Sequence, residues 1–197
     1  HTIGVGQAGN LVVIPHTFKK VPYDPLKNFT PISLTTTNFQ AIVANNDAPF
    51  KNLAEMISYA KAHPGQVSFA SAGTGGTSHL GMEMFKSLTQ TEVIHVPYKG
   101  SAPGLVDLAS GQTQFMIDTI NTVLPYVRDG RLRGLAVSSM KRSSVLPELP
   151  TLHESGYANF EATNWFGAVT RTGAPKASLE RLSAEFARAL DTPEVKA

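Results

Sequence analysis

The 197-residue sequence contains no cysteine. Thiol nucleophiles, thiolate metal sites, redox pairs and disulfides are therefore excluded from its chemistry. Charged residues are also scarce, because they make up 16% of the chain against about 25% in typical soluble proteins. A chain without thiols is compatible with export, since it cannot form wrong disulfides in an oxidising compartment.

Basic clusters and long apolar runs are missing as well. The 17 Lys and Arg residues are spread among 15 Asp and Glu, which argues against nucleic-acid binding because that function needs a clustered positive surface. The longest apolar candidate, 11–14, ends at Pro15, far short of the ~18 residues of a membrane span. No His, Asp and Glu cluster has metal-ligand spacing, so we expect neither a metal nor a cofactor.

Strands and helices alternate regularly from about residue 50. Asn52 followed by Glu55 has the spacing of a capping box, and apolar residues then recur at helical spacing as far as His63. Because short apolar strands alternate with helices after that point, the pattern predicts right-handed crossovers and a parallel, doubly wound α/β sheet. The predicted strands are 67–70, 93–96, 114–118 and 134–138, and the predicted helices are 52–63, 80–88, 102–109 and 122–128.

Two long extended segments, 30–45 and 160–171, bracket this block and are typical of chain crossings between domains. Outside them lie a strand, a loop and a terminal helix over 176–190, whose apolar residues lie on one helical face. These elements are too few to close a second core alone. We therefore expect residues 41–161 to form a complete second lobe, and 1–40 with 162–197 to form part of a first lobe.

The motif Gly4-x-Gly6-x-x-Gly9 follows a short strand and matches a dinucleotide-binding fingerprint. Its context argues against that function, because we expect Pro15 to interrupt the turn that should begin a helix. Asp24, at the distance of the ribose-binding acid, lies in a turn sequence before Pro25 rather than at a strand end.

A loop rich in glycine and hydroxyl groups, Ser71 to Ser78, stands between a predicted strand and a predicted helix. Backbone N–H groups and the helix dipole make such a position suitable for an anion. The loop has no Lys and does not match a P-loop, so a carboxylate fits better than a nucleotide triphosphate. The alternative is a glycine-rich turn whose hydroxyls only cap the helix.

Three further residues have competing interpretations. Ser78 beside His79 raises the possibility of a small α/β serine hydrolase, but 76–80 does not match G-x-S-x-G at its last position. His95 alternates with apolar neighbours and is most simply a buried structural histidine. Asp118 ends a predicted strand, where it could bind a ligand or cap the next helix.

Several segments together resemble one known family. They are Tyr23-Asp24-Pro25, Phe29-Thr30-Pro31, Phe69-Ala70-Ser71-Ala72-Gly73 with His79-Leu80, 96–103, 130–137, 146–151, and Trp165-Phe166-Gly167. In order and spacing they are similar to the Bug (TctC-like) family of extracytoplasmic solute receptors, the binding components of tripartite tricarboxylate transporters. The resemblance covers nearly the whole chain.

The resemblance implies a periplasmic-binding-protein-like α/β fold of two doubly wound lobes joined by crossing strands. Such a protein is not an enzyme. It captures a small organic anion, such as a dicarboxylate or an amino acid, in an interlobe cleft and delivers it to a membrane permease. The ligand-binding residues implied on this basis are Ser71, Gly73, Thr74, Gly75, Gly76, Thr77, Ser78, His79 and Asp118 in the second lobe, with Gln7, Ala8 and Gly9 in the first.

The two ends of the chain differ from the family pattern. The sequence begins with His1 rather than Met and has no visible targeting segment, although the resemblance implies export to the periplasm. The family's first strand with its Gly- and Pro-rich loop, and its closing segment, have no counterpart. We therefore expect the chain to be truncated at both ends, with an incomplete first lobe.

Overall fold

The computed structural model describes residues 2–196. The strands are β1 (Ile3–Gln7), β2 (Phe29–Asn45), β3 (Ser68–Ser71), β4 (Ile94–Pro97), β5 (Phe115–Thr119), β6 (Leu132–Val137) and β7 (Thr163–Arg171). The helices are α1 (Ile14–Thr17), α2 (Pro25–Asn28), α3 (Leu53–Ala62), α4 (Thr77–Thr89), α5 (Ser101–Ala109), α6 (Ile120–Arg128), α7 (Lys176–Leu190) and α8 (Pro193–Lys196), and a π-helical segment (Gly9–Val13) precedes α1.

The chain divides into two compact units. One contains residues 1–37 and 164–197, and the other contains residues 38–163. The long strands β2 and β7 both run across the boundaries between these ranges. The sequence already indicates these two strands as extended segments, because neither has the apolar spacing of a helix.

The unit of residues 38–163 is built on a five-stranded sheet in the order β4, β3, β5, β2, β6. β3 pairs in parallel with both β4 and β5, whereas β2 pairs antiparallel with β5 and with β6. The four strands predicted for the α/β block all run in the same direction, as expected, but the sheet is mixed because β2 is antiparallel to its two neighbours β5 and β6. The end of the extended segment 30–45 forms β2, which lies between β5 and β6 in the sheet.

Both faces of this sheet are covered, which explains its near-continuous apolar strands. On one face α3 and α4 pack on alternate strand residues, and on the other face α5 and α6 pack on the residues between them. The first face includes Ile42, Phe69, Phe115, Ile117, Met56 and Phe85, and the second includes Ala41, Val43, Met116, Leu105, Leu108 and Val123.

The predicted capping box is confirmed at the start of α3. The Asn52 side-chain oxygen accepts the Glu55 N–H at 2.9 Å, and the Glu55 carboxylate accepts the Lys51 N–H at 2.7 Å. The first bond satisfies an N–H group that a helix leaves without an intrahelical partner, and the second holds the residue before the cap. They fix where the chain turns into the helix.

The other unit pairs β1 with β7 in an antiparallel ladder, and β7 lies next to β2. Gly167 permits this close approach, because a Cβ there would lie 3.1 Å from the Ser33 carbonyl oxygen. The predicted terminal helix is confirmed as α7, with Leu179, Leu182, Phe186 and Leu190 half-buried along one side.

The expectation that Pro15 interrupts the turn after Gly9 is wrong. The chain is helical from Gly9 to Thr17, and Pro15 lies within this stretch, directly after the π-helical segment passes into α1. The glycine motif nevertheless serves packing, because a Cβ on Gly6 would lie 2.4 Å from the Leu11 side chain. Asp24 caps α2 by accepting the Leu26 and Lys27 N–H groups, so it does not end a strand.

Candidate ligand-binding site

The carboxyl ends of β3, β4 and β5 lie at one edge of the sheet, because these strands are parallel. Each of them leads into a helix, α4, α5 or α6 respectively. Three helix amino termini therefore lie at the same edge, and each carries a partial positive charge. In open α/β sheets this edge is where ligands bind. The predicted site residues from Ser71 to His79, together with Asp118, all lie there.

The loop from Ser71 to Ser78, which we call the hydroxyl loop, is shaped by its own hydrogen bonds. The Ser71 hydroxyl accepts the Gly73 N–H at 3.2 Å, and the Ser78 hydroxyl accepts the Ala72 N–H at 3.4 Å. Gly73 and Gly75 have φ angles of 142° and 78°, which side-chain-bearing residues rarely adopt. These two glycines are therefore required by the shape of the loop.

The next strand and its loop hold the hydroxyl loop from the side. The Ser71 carbonyl accepts the Tyr98 N–H at 3.0 Å, and the Ala72 carbonyl accepts the Gly100 N–H, also at 3.0 Å. Within the loop, Gly76 N–H reaches the Gly73 carbonyl at 3.4 Å. Most backbone groups of the loop thus have partners inside the protein.

A smaller set of donors is left without partners at the start of α4. The first bond of this helix joins Leu80 N–H to the Gly76 carbonyl, and no side chain caps the helix. Among residues 2–196, the N–H groups of Thr74, Thr77 and Ser78 donate to no acceptor, and the Thr74 and Thr77 hydroxyls make no hydrogen bond. These groups are available to an anion.

Two histidines lie behind the loop. His79 Nδ1 accepts the Gly75 N–H at 3.2 Å. The His79 ring stacks on the His95 ring with centroids 4.1 Å apart, and His95 in turn stacks on Phe69 at 4.7 Å. His95 is a structural histidine, as the strand pattern indicates, although it is half-buried rather than buried, and its Nε2 lies 2.6 Å from the Ser71 hydroxyl oxygen.

Asp118 lies at the same edge, next to the start of α5. It shares a sheet face with Met116, by strand alternation, and only 5% of it is exposed. One carboxylate oxygen accepts the Thr119 N–H at 2.7 Å, whereas Oδ2 is buried and accepts no hydrogen bond from the described residues. Burial raises the pKa of this carboxyl above its ordinary value, and the nearby Ser101 and Thr119 offset part of that effect.

The alternative role of Asp118 as a helix cap is wrong, because the residue before α6 is Thr119 and no side chain bonds there as a cap. A buried carboxylate oxygen without a partner is costly. The position thus carries a polar atom that a ligand or a water molecule could satisfy.

Gln40 is a candidate that the sequence reasoning missed. It is 1% exposed, it lies opposite Thr119 in the sheet, and its Oε1 is buried without a partner among the described residues. The amide lies under α4, because a Cβ on Gly81 would come within 2.8 Å of Oε1. The available signal was a lone polar residue at the start of the apolar run 41–44.

The geometry at Ser78 gives no support to a hydrolase. Its hydroxyl bonds only to the Ala72 N–H within the described chain, and the adjacent His79 uses Nδ1 for Gly75. The serine that does contact an imidazole is Ser71, and this residue is completely buried. A nucleophile must reach its substrate, and neither serine combines access with a base.

Gln7, Ala8 and Gly9 belong to the other unit. Gln7 ends β1 opposite Phe166, and Gly9 begins the π-helical segment. These three residues form a strand-to-helix junction like the one at the hydroxyl loop. The sequence groups them with the hydroxyl loop only through the family resemblance.

A comparison with known proteins now bears on this arrangement. The family described as the "Tripartite tricarboxylate transporter family receptor" (TctC) matches residues 1–197 of the chain. The chain belongs to this receptor family. Its members are receptors and not enzymes, as the resemblance implies.

A curated relative and three solved structures illustrate the similarity. The "UPF0065 protein in tcbD-tcbE intergenic region" of Pseudomonas sp. (strain P51) is 36% identical over 196 residues, covering 99% of this chain and 58% of the relative. The structure of Rpa4515 of R. palustris with adipate has a TM-score of 0.93 at 32% identity, covering 97% of this chain and 64% of the other.

The other two structures are MatC from Rhodopseudomonas palustris with bound malate and the periplasmic binding protein BugD. MatC has a TM-score of 0.88 at 31% identity, covering 98% of this chain and 66% of its own. BugD has a TM-score of 0.90 at 33% identity, covering 98% of this chain and 64% of its own. The periplasmic-binding-protein-like α/β fold predicted from the sequence is thus confirmed. This receptor-family chain spans about three fifths of the length of the proteins it matches.

Within residues 2–196, no group of three or more His, Asp or Glu side chains is placed to hold a metal ion. In the same range, no helix combines the length and the apolar character needed to cross a membrane.

Proposed function

We propose that this protein is a periplasmic substrate-binding protein that captures a small organic anion, most simply a dicarboxylate, for uptake through a tripartite transporter. The observation that carries the proposal is the set of unpaired donors at the start of α4, the N–H groups of Thr74, Thr77 and Ser78 with two threonine hydroxyls. The rest of the hydroxyl loop bonds within itself and to Tyr98, Gly100 and His79, so these donors belong to a preformed frame.

The chemistry of these donors suits a carboxylate. Backbone N–H groups at a helix start bring partial positive charge without a counter-ion, and bonds to a charged acceptor are stronger than bonds between neutral groups. The rotatable threonine hydroxyls can follow carboxylates of different orientation. A site of this kind recognises a carboxylate group more than it recognises the rest of the molecule.

The relatives support a dicarboxylate in particular. Two solved structures with TM-scores of 0.93 and 0.88 hold adipate and malate, which share two carboxylates but differ in chain length and hydroxylation. We propose that the unit of residues 38–163 is the second lobe and holds one carboxylate. The unit of residues 1–37 and 164–197 is then part of the first lobe, and Gln7, Ala8 and Gly9 contribute from that side of an interlobe cleft.

Isothermal titration calorimetry at pH 7.5 with adipate, malate, aspartate and adipamide tests the proposal. Adipamide keeps the length of adipate and replaces both carboxylates with neutral amides. We expect saturable binding of at least one dicarboxylate and none of adipamide, because the helix-terminal donors favour negative charge.

A matched control is Ser87→Ala, which removes an exposed hydroxyl near the other end of α4 and should leave the dissociation constant unchanged. Absence of binding across both dicarboxylates and aspartate would contradict the proposal. Equal affinity for adipate and adipamide would contradict recognition of the carboxylate.

A further inference from the structure

The stacked rings of His79 and His95, which we call the imidazole pair, both form hydrogen bonds with the hydroxyl loop. His79 accepts the Gly75 N–H at 3.2 Å, and His95 Nε2 lies 2.6 Å from the hydroxyl of Ser71. Gly75 and Ser71 are both buried. The imidazole pair therefore reaches the loop at two points that lie on either side of its exposed residue Thr74.

The bond from Gly75 fixes the protonation of His79. Because Nδ1 accepts a hydrogen bond, it must carry a lone pair and not a proton. In the neutral ring the proton then lies on Nε2, which is 3.7 Å from a carboxylate oxygen of Glu83. A doubly protonated His79 would set two N–H groups against each other and would lose the bond to Gly75.

The Ser71 hydroxyl also has its hydrogen-bond partners within the protein. It accepts the Gly73 N–H at 3.2 Å, and it also lies 3.4 Å from the Gly73 carbonyl oxygen and 2.6 Å from His95 Nε2. Ser71 is completely buried, and its hydroxyl connects the loop to β4.

We propose that His79 and His95 are positioning residues for the ligand-binding donors of the hydroxyl loop, and that His79 must be unprotonated on Nδ1 to hold Gly75 and the neighbouring Thr74 in place. This inference rests on the proposed function, which makes those donors the ligand-binding groups. It assigns to the His79 side chain a role within the protein instead of a direct contact with the anion.

The surroundings of His95 favour its neutral form. The two rings are 4.1 Å apart, so two positive charges would repel each other strongly. Burial lowers the pKa of the His95 imidazole, and so do His79 and Lys86, while Glu83 raises it. Glu83 and Lys86, both on α4, form an ion pair at 2.8 Å, and the group facing His95 from β3 is the apolar ring of Phe69.

The sign of the pH dependence separates this role from a direct one. If His79 positions the loop, acidification removes the acceptor of Gly75 and weakens binding of the anion. If His79 contacted the anion directly, acidification would add a positive charge and strengthen binding. Histidine side chains change charge within pH 5 to 8, so the two outcomes can be measured in that range.

Two variants test the positioning role with adipate as the probe. In His79→Asn the side-chain oxygen can replace Nδ1 as an acceptor but does not titrate, whereas in His79→Gln the amide extends toward the position of Nε2. We expect His79→Asn to bind like the wild type at pH 7.5 and His79→Gln to bind about tenfold more weakly.

Between pH 7.5 and 5.5 the ratio of the wild-type dissociation constant to that of His79→Asn should rise, because only the wild type can lose the acceptor of the Gly75 N–H. We compare this ratio, and not the two dissociation constants separately, because protonation of adipate and of Asp118 affects the wild type and His79→Asn alike. His153→Asn is the matched control, because His153 Nδ1 also accepts a backbone N–H, from Asn159 at 3.1 Å. A constant ratio, or a wild type that binds more tightly at pH 5.5, would overturn the proposal.

Nitrogen NMR of the wild-type histidine rings tests the same inference without a ligand. We expect His79 at pH 7.5 to be neutral with its proton on Nε2, and a proton on Nδ1 would overturn the proposal. If the wild type binds no carboxylate at any pH, the proposed function fails, and the NMR result still decides how His79 holds the loop.

Discussion

Replacing Thr77 with proline should remove one ligand-binding donor while leaving the fold in place. Thr77 is the first residue of α4, where proline is well tolerated because that N–H has no intrahelical partner. The preceding Gly76 is extended, with φ −77° and ψ 169°, which is the conformation that a residue before proline adopts. Thr77→Pro therefore deletes an N–H that we propose binds the anion.

The expected loss follows from the strength of a single bond. A hydrogen bond to a charged group contributes about 1.5–3 kcal/mol, which corresponds to roughly 10- to 150-fold in the dissociation constant. Proline also removes the hydroxyl, so Thr77→Ala is measured beside it, and the ratio of the two affinities isolates the N–H.

Calorimetry with adipate gives the affinities, and circular dichroism checks that the helix content and the melting temperature are retained. If Thr77→Pro folds normally and its dissociation constant is within twofold of that of Thr77→Ala, the N–H of Thr77 does not bind the ligand. The assignment of the first turn of α4 as the anion site would then be refuted.

Three further predictions concern stability, measured by urea unfolding. Burial raises the pKa of Asp118, so its charged form disfavours folding at neutral pH, and this cost disappears as the pH falls through the folded-state pKa. The wild type should therefore gain stability between pH 7 and pH 4.5, and Asp118→Asn should remove that gain. An Asp118→Asn profile identical to that of the wild type would contradict this. Gly134→Ala should cost about 1–3 kcal/mol, because its Cβ would lie 2.7 Å from Leu149 Cδ1, and the cost should shrink in a Leu149→Ala background. Asn52→Ala should lower the free energy of unfolding by about 1 kcal/mol, because it removes the side-chain cap of α3. An unchanged free energy of unfolding would mean that Glu55 alone determines where the helix begins.

Local patterns in the sequence predict most of the elements correctly. The terminal helix was expected at 176–190 and is observed as Lys176–Leu190, because its apolar residues repeat at helical spacing without interruption. The predicted strands differ from the observed ones by one or two residues at their ends, as at β3, expected at 67–70 and observed as Ser68–Ser71. Such ends depend on pairing with neighbouring strands, which local composition does not encode.

The position of β2 in the sheet was not predictable from spacing. Alternation and apolar character identify a strand but not its neighbours, and β2 pairs with two strands that lie more than 70 residues further along the chain. The apolar run 41–44 was a usable sign that this strand is covered on both faces. The order of elements alone favoured the simpler parallel sheet.

At the candidate site, the sequence predicts which residues come together but not what each of them does. Glycine and hydroxyl composition identifies the hydroxyl loop, and the position after a strand identifies its edge of the sheet. The strand pattern predicts that His95 is structural but does not predict its partner Ser71, because their contact joins residues 24 positions apart. Contacts of that range arise from tertiary packing and leave no local pattern.

The hydrogen bonds inside the hydroxyl loop divide its residues between two tasks with different tolerance for change. Gly73 and Gly75 keep the backbone in conformations that other residues resist, whereas the side chains of Thr74 and Thr77 hold nothing within the described protein. If these two threonines bind the anion as we propose, mutational drift there alters the preferred anion without disturbing the frame. In a lineage of such receptors, ligand preference would diverge first at these two positions, while the glycines stayed fixed.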